Sequence, residues 1–178
     1  MYTAGFAIYI TLGGTMIIDP DLPLLEELLS LLDSQMARLQ RKAQASADPD
    51  GYGVFDSFEH VVGLGFATCQ TYLVARSARS GVSKPVALER GPTHRCGKTI
   101  ASIVNAAANY WKHHEEWSVS PASQRERTIE VISSMGINPA EYTLANMLHE
   151  LLRPLPARFV SLLPFLVQWS DSLRSRAA

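Results

Sequence analysis

The sequence predicts an all-α protein, a single-domain bundle of about six helices over residues 1–178. Apolar residues recur at helical spacing along most of the chain, and Pro, Gly and capping residues separate these stretches. Of the 178 residues, 47% are hydrophobic and 19% are charged, which is typical of a globular domain and not of a disordered chain. Only 2 cysteines are present, so the core is expected to form without a disulfide framework.

Residues 1–18 differ from the rest because their apolar side chains alternate along Phe6, Ile8, Ile10 and Leu12. With a turn at Gly13-Gly14, this period predicts a short β-hairpin or an extended arm. The stretch lacks the basic start of a secretory signal, and its glycines interrupt it too early for a spanning helix. We therefore expect a cytoplasmic protein with no membrane partner.

The next two helices are predicted from their spacing and their boundaries. Leucines keep helical spacing from residue 22 to about residue 47, and a loop follows at 48–53. The run Asp56-Ser57-Phe58-Glu59 has the arrangement of a capping box and is predicted to open the second helix. That helix is apolar on most sides, which indicates a central position, and Gly81 is predicted to end it in a left-handed conformation.

The second half of the chain predicts a basic loop and further helices. Residues 80–96 form the loop, with a short extended piece at 85–88, and a long helix follows from about Ile100 to Trp117. Ser120-Pro121 is predicted to start the next helix, which Gly136 closes. Asn138-Pro139-Ala140-Glu141 combines a cap, an early proline and a glutamate, and predicts another helix start. A last helix is expected over 159–173.

The charges are balanced overall and uneven along the chain. The net charge is −1, so no whole-protein field favours nucleic acid or anionic lipid. Between residues 76 and 98, however, six basic side chains accompany one acidic side chain. Such a segment could bind phosphate or could be an ordinary solvated loop near the acidic first helix. The candidate anion-binding residues here are Arg90, His94, Arg95 and Lys98.

The run Gly91-Pro92-Thr93-His94-Arg95-Cys96-Gly97-Lys98-Thr99 superficially suggests a phosphate-binding loop. Such a loop needs four residues between its glycine and the Gly-Lys-Thr, and here five separate Gly91 from Gly97. The position with the required spacing holds Pro92, which has no N–H to donate. A phosphotransferase is therefore not expected, although a free helix N-terminus beside these cations could bind an anion without hydrolysis.

A polar stripe is predicted on the long helix. Asn105, Asn109, His113 and Glu116 are spaced by four, four and three residues, and Lys112 flanks them. An imidazole near a carboxylate can act as an acid or a base, and asparagines can orient a substrate or a phosphate. The alternative is the wet face of an amphipathic helix, although asparagine is a poor helix former and is unusual on such a face.

The segment Asn109-Tyr110-Trp111-Lys112-His113 resembles the end of the Arg-Asn-x-x-x-His motif of HEPN-domain proteins. These are all-helical bundles that include toxin and phage-defence ribonucleases. The resemblance implies that Asn109 occupies the polar position and His113 that of the histidine that acts on the phosphodiester. Ala108 occupies the position at which the motif has arginine. In a HEPN-like site, Arg90 or Arg95 of the neighbouring loop would have to supply the positive charge of that arginine. Residues 55–117 also resemble bacterial proteins of the mobile-element or defence kind, a resemblance that assigns no site.

Two functions from different classes follow. The first is a non-catalytic interaction or regulatory module, with a second copy or another protein as its partner. The alternative is a HEPN-like, nucleic-acid-acting protein in which His113, Asn109 and Glu116 are catalytic and Asn105, Lys112 and the basic loop bind the anion. The histidines and cysteines have no metal-site spacing, so neither a metal nor another cofactor is expected.

Overall fold

The computed structural model describes residues 19–117, 122–139 and 142–174. This part of the chain is all-α, which confirms the predicted fold class, while the hairpin or arm predicted at 1–18 lies outside the described residues. The helices are α1 (Leu22–Ala45), α2 (Val54–Ser80), α3 (Lys84–Leu88), α4 (Ile100–His113), α5 (Ala122–Ser134), α6 (Thr143–Leu152) and α7 (Leu163–Arg174). Short 3₁₀ turns occupy His114–Glu116 and Phe159–Leu162.

Helix α2 lies at the centre of the bundle, as its apolar character predicts, and packs against α1, α4, α6 and α7. Two glycines allow aromatic rings to lie directly on its backbone. A Cβ at Gly63 would lie 2.0 Å from Cδ1 of Trp111, and one at Gly65 would lie 2.2 Å from the ring of Phe159. The helix ends at Gly81 with φ of 68°, which confirms the predicted left-handed residue.

The start of α2 corrects the predicted capping box. The helix begins at Val54 after Gly53, and Asp56 lies within its first turn without capping it. Glu59 does not fold back on α2 either, because its carboxylate accepts the N–H groups of Leu144 and Ala145 at 2.5 and 2.9 Å. The capping chemistry of Glu59 thus serves α6, a helix that follows much later in the chain.

Helix α6 begins later than the sequence predicts. The sequence predicts a start at 138–141, but the helix begins at Thr143. Residues 140 and 141 lie outside the described part of the chain. The preceding residue, Tyr142, has a positive φ of 45°. Because Glu59 satisfies the first N–H groups of α6 from another helix, a local cap is not needed.

Two further boundaries differ from the expectation. Residues 85–88 are not extended but belong to α3, where Pro85 lies in the first turn and Ala87 is fully buried. The long helix ends at His113 rather than near Trp117, and a 3₁₀ turn continues the chain. Helix α5 is closed by Gly136, with φ of 77°, as predicted, whereas its predicted start at 120–121 lies outside the described residues.

A second carboxylate acts across the fold in the same way as Glu59. Asp33, buried on α1, accepts the N–H groups of Phe159 and Val160 at 2.6 and 3.1 Å and so begins the 3₁₀ turn before α7. Phe159 in turn packs edge-on against Phe66 at 5.3 Å between ring centroids. None of the described helices has the length and apolar composition needed to cross a membrane.

Candidate functional site

Both asparagines of the predicted polar stripe, and the flanking Lys112, converge on Gln70, a residue of α2 that the sequence did not single out. The Gln70 side-chain amide donates to Oδ1 of Asn105 and to Oδ1 of Asn109, both at 2.9 Å. Its own oxygen accepts a hydrogen bond from Lys112 at 2.6 Å. Gln70 is buried, with 6% of its surface exposed, and both asparagines are half-buried. Three predicted site residues therefore share one network between α2 and α4.

Lys112 is the charged member of this network. Burial lowers the pKa of its ammonium, and the positive charge of Lys84 lowers that pKa further. Burial also lowers the pKa of Lys84. The Lys112 ammonium therefore lies near a second cation and bonds to a neutral amide, not to a carboxylate.

His113 and Glu116 lie apart from the Gln70 network. Because α4 ends at His113, Glu116 follows on the 3₁₀ turn, and Nδ1 of His113 is 3.5 Å from Oε2 of Glu116. The glutamate side chain is two-thirds exposed, at 66%. The imidazole–carboxylate pair anticipated from the spacing is present, but it is not joined to the asparagines.

The predicted anion-binding residues of the basic loop all contact groups of this chain. Arg95 pairs with Glu150 of α6, and Lys98 pairs with Glu130 of α5 at 2.7 Å. These pairs lower the pKa of both carboxyls. The remaining two residues bond to carbonyl oxygens: His94 to that of Glu150 at 3.3 Å, and Arg90 to those of Ser172 and Leu173 at 3.5 Å. Their binding of an external anion stays a prediction.

The N-terminus of α4 is not free, which corrects one expectation. The Thr99 hydroxyl accepts the N–H of Ser102 at 3.1 Å and donates to the carbonyl of Leu88. A bridge between Thr93 and Thr99 and a turn at Gly97 fold the preceding segment back on itself. The Gly97-Lys98-Thr99 run is therefore a capped helix entry rather than an open phosphate loop.

An open cleft of about 780 Å³ lies where α2, the end of α4 and the start of α6 meet. Its lining combines carboxylates, imidazoles and aromatic rings: Asp50, Asp56, Glu59, His60, Tyr110, Trp111, Lys112, His114, Glu115, Tyr142, Thr143 and Leu144. Only Lys112 among these was a predicted site residue. Two features of the sequence could have indicated the cleft: the acidic loop at 48–53, and the spacing of Asp56, Glu59 and His60 on one helix.

The cleft walls are held by hydrogen bonds and ring contacts. Tyr142 donates to Asp50 at 2.5 Å, and Thr143 donates to the Tyr110 hydroxyl at 3.2 Å. His114 stacks on the ring of Tyr110, with centroids 4.7 Å apart, while its Nδ1 lies 2.9 Å from the Tyr110 carbonyl oxygen. These contacts set the positions of the rings before any ligand binds.

The cleft is acidic, with four carboxylates and one ammonium in its lining. Burial raises the pKa of Glu59, against the lowering effect of the two backbone N–H groups and of His114. Among the described residues, neither Asp56 nor Glu115 forms an ion pair. No metal-binding group of three or more His, Cys, Asp or Glu is found in the described part of the chain.

Comparison of the chain with models of protein families, with curated proteins and with solved structures found no match.

Proposed function

We propose that this protein is a non-catalytic interaction module that binds a basic segment of a partner protein in the acidic cleft. The observation that carries the proposal is the combination of unpaired carboxylates, Asp56 and Glu115, with aromatic walls in one open cavity. The cations of the basic loop, by contrast, already contact acceptors of this chain.

The charge of the cleft supports a cationic partner. Four carboxylates against one ammonium create a negative local potential, which attracts Lys or Arg side chains and speeds their association. Two of the carboxylates are occupied, since Asp50 accepts from Tyr142 and Glu59 caps α6. Asp56 and Glu115 remain to pair with a ligand.

The aromatic rings support the same class of partner. Tyr110, Trp111 and Tyr142 line the cleft and are all half-buried, so each has surface left to contact a ligand. Cations bind over the faces of Trp and Tyr, and these residues carry much of the energy of protein interfaces. Exposed Phe55 packs edge-on against Tyr142 at 5.6 Å and extends the apolar rim.

The internal contacts of the cleft favour binding over catalysis. The hydrogen bonds described above join tyrosines to a carboxylate and a threonine, and a carboxylate to backbone N–H groups. None of them joins an imidazole to a carboxylate or to a nucleophilic hydroxyl, the arrangement on which general base catalysis depends. Their effect is to fix the shape of the cleft.

The test uses an octalysine peptide as the probe and the tryptophan fluorescence, to which Trp111 contributes, as one readout, with calorimetry as the other. We expect saturable binding that weakens as salt is raised. The double variant Asp56→Asn, Glu115→Gln should bind octalysine roughly twofold to thirtyfold more weakly, because exposed charge pairs contribute about 0.2–1 kcal/mol each.

The matched control carries the same charge change elsewhere. Glu26→Gln, Glu27→Gln removes two exposed carboxylates from α1, outside the cleft lining, and should leave octalysine affinity unchanged. Equal weakening in both double variants would mean that the peptide responds only to overall charge, and absence of binding would exclude the cleft as a site for basic segments.

A second candidate function is favoured by the partly exposed His113–Glu116 pair, at 3.5 Å. In the HEPN-like alternative, His113 exchanges a proton with an RNA phosphodiester, and Asn109 lies one turn before it on α4. Cleavage of single-stranded RNA by the wild type and its loss in His113→Ala would support this function. Intact RNA with both proteins would remove it.

A further inference from the structure

The Gln70 network presents a surface of hydrogen-bond donors that no part of the proposed cleft function uses. Gln70 donates to the side-chain oxygens of both Asn105 and Asn109. An asparagine whose oxygen is bound on one side presents its NH₂ group on the other. The buried Gln70 thus fixes the orientation of two half-buried amides.

The third donor at this surface is charged. Lys112 uses one of its N–H groups on the Gln70 oxygen, at 2.6 Å, which leaves two donors on the ammonium. Within the described residues, the ammonium has no carboxylate partner and neither asparagine NH₂ group has an acceptor.

We propose that Asn105, Asn109 and Lys112 form a binding site for a phosphate group. All the acceptor atoms of the network are bound to its own donors, so the atoms left to contact a ligand are two amide NH₂ groups and an ammonium. A surface made of donors alone matches an oxyanion, whose oxygens are acceptors alone.

The electrostatic surroundings agree with this geometry. Burial and the nearby charge of Lys84 both disfavour the ammonium form of Lys112, as the lowered pKa of Lys112 shows. An anion placed beside Lys112 favours its ammonium form, because a nearby opposite charge stabilises a charged group.

Lys112 also lines the cleft, but the inference does not rest on the cleft proposal, because it concerns the hydrogen bonds of Lys112 with Gln70 and not the carboxylates. To test it, inorganic phosphate is titrated into ¹⁵N-labelled protein at constant ionic strength. The side-chain NH₂ resonances of Asn105 and Asn109 are followed by NMR. We expect both resonances to shift and to saturate. Dimethyl phosphate in a parallel titration distinguishes a diester from a terminal phosphate, and saturation by either supports the site.

Two variants separate the site from general charge. Lys112→Gln should weaken phosphate binding by roughly fivefold or more, because a charge-assisted donor is lost. Asn109→Asp should abolish binding: its carboxylate can still accept from Gln70, so the network is retained, but the outward NH₂ group becomes an anionic oxygen. Lys42→Gln, which removes an exposed cation from α1, is the control and should bind phosphate as the wild type does.

Phosphate shifts that do not saturate, or that equal amounts of chloride reproduce, would overturn the proposal. Unchanged phosphate affinity in Lys112→Gln would also overturn it. Where Asn109→Asp fails to fold by its backbone spectrum, Lys112→Gln alone decides, since that side chain is largely exposed and its loss leaves the Gln70–asparagine bonds in place.

Discussion

At the scale of single residues, Gly63 and Gly65 decide how closely α2 approaches its neighbours. Each lies beneath an aromatic ring, Trp111 over Gly63 and Phe159 over Gly65, at distances that leave no room for a Cβ. Glycine in the middle of a helix costs about 1 kcal/mol relative to alanine, so its presence needs a reason in packing. Here the reason differs at the two positions: Gly65 admits a core ring, whereas Gly63 positions a wall of the cleft.

Gly63→Ala is therefore expected to destabilise the protein. The new Cβ would lie 2.0 to 2.4 Å from three atoms of the Trp111 ring, and overpacking of this kind costs about 1–3 kcal/mol. Alanine regains roughly 1 kcal/mol in helix propensity, so the net expected loss of stability is up to about 2 kcal/mol. Urea unfolding should show a lower free energy of unfolding for Gly63→Ala than for the wild type.

The control for Gly63→Ala is Thr71→Ala, at an exposed position on the same helix. We expect it to change the free energy of unfolding by no more than about 0.5 kcal/mol. Equal stability of Gly63→Ala and the wild type would show that the Trp111 ring moves aside at no cost.

At the scale of elements, carboxylates on the first two helices begin later helical segments. Glu59 of α2 caps α6, and Asp33 of α1 caps the 3₁₀ turn before α7. Sequence patterns detect caps that are neighbours in the chain, and on that basis Glu59 was assigned to a local capping box. The actual partner of Glu59 is 85 residues away, a distance at which spacing carries no signal.

Glu59 also gives the stability of α6 a characteristic pH dependence. Burial raises the pKa of Glu59 above its ordinary value of 4.5, so the folded state binds this proton more tightly than the unfolded state does. Its contribution to stability is therefore greatest below pH 4.5 and declines as the pH rises through the folded pKa. Glu59→Gln cannot titrate and should lack this decline.

The measurement is urea unfolding of both proteins at intervals from about pH 3 to pH 7. Glu150→Gln is the control, and its effect on stability should depend on pH in the opposite direction. The reason is that the hydrogen bond from Arg95 lowers the pKa of Glu150. For Glu150 the wild type should gain stability over the variant as the pH rises toward 4.5. The free energy of unfolding of the wild type minus that of Glu59→Gln should fall as the pH rises. If this difference rises instead, the hydrogen bonds to Leu144 and Ala145 affect the pKa of Glu59 more than burial does.

At the scale of the whole molecule, sequence periodicity was enough to predict an all-α bundle with α2 at its centre. The helical spacing of apolar residues shows directly which side of each helix is buried. The glycines at 81 and 136 mark helix ends that depend only on the local backbone conformation. The cleft could not be predicted in this way, because its residues come from α2 and the loop before it, from the end of α4 and the turn that follows, and from the start of α6. Gln70 was missed for the same reason, since its role depends on which face of α4 packs against α2.

The described residues share one hydrophobic core, and its two free cysteines offer a measure of how cooperatively that core opens. Cys69 is fully buried at the centre of α2, and burial raises the pKa of its thiol. Cys96, in the segment before α4, is half-buried. The thiolate must reach a thiol reagent to attack it, so Cys96 should react in the native protein and Cys69 only when the bundle opens.

We expect the labelling of Cys69, measured in a Cys96→Ser variant with an aromatic disulfide reagent, to report global unfolding. Under conditions where reclosing outpaces labelling, the free energy of opening obtained from the rate should equal the free energy of unfolding. Its dependence on urea should equal the equilibrium m value. A smaller urea dependence would mean that α2 becomes accessible by a partial opening, in which α1 or α7 separates from a core that otherwise stays folded.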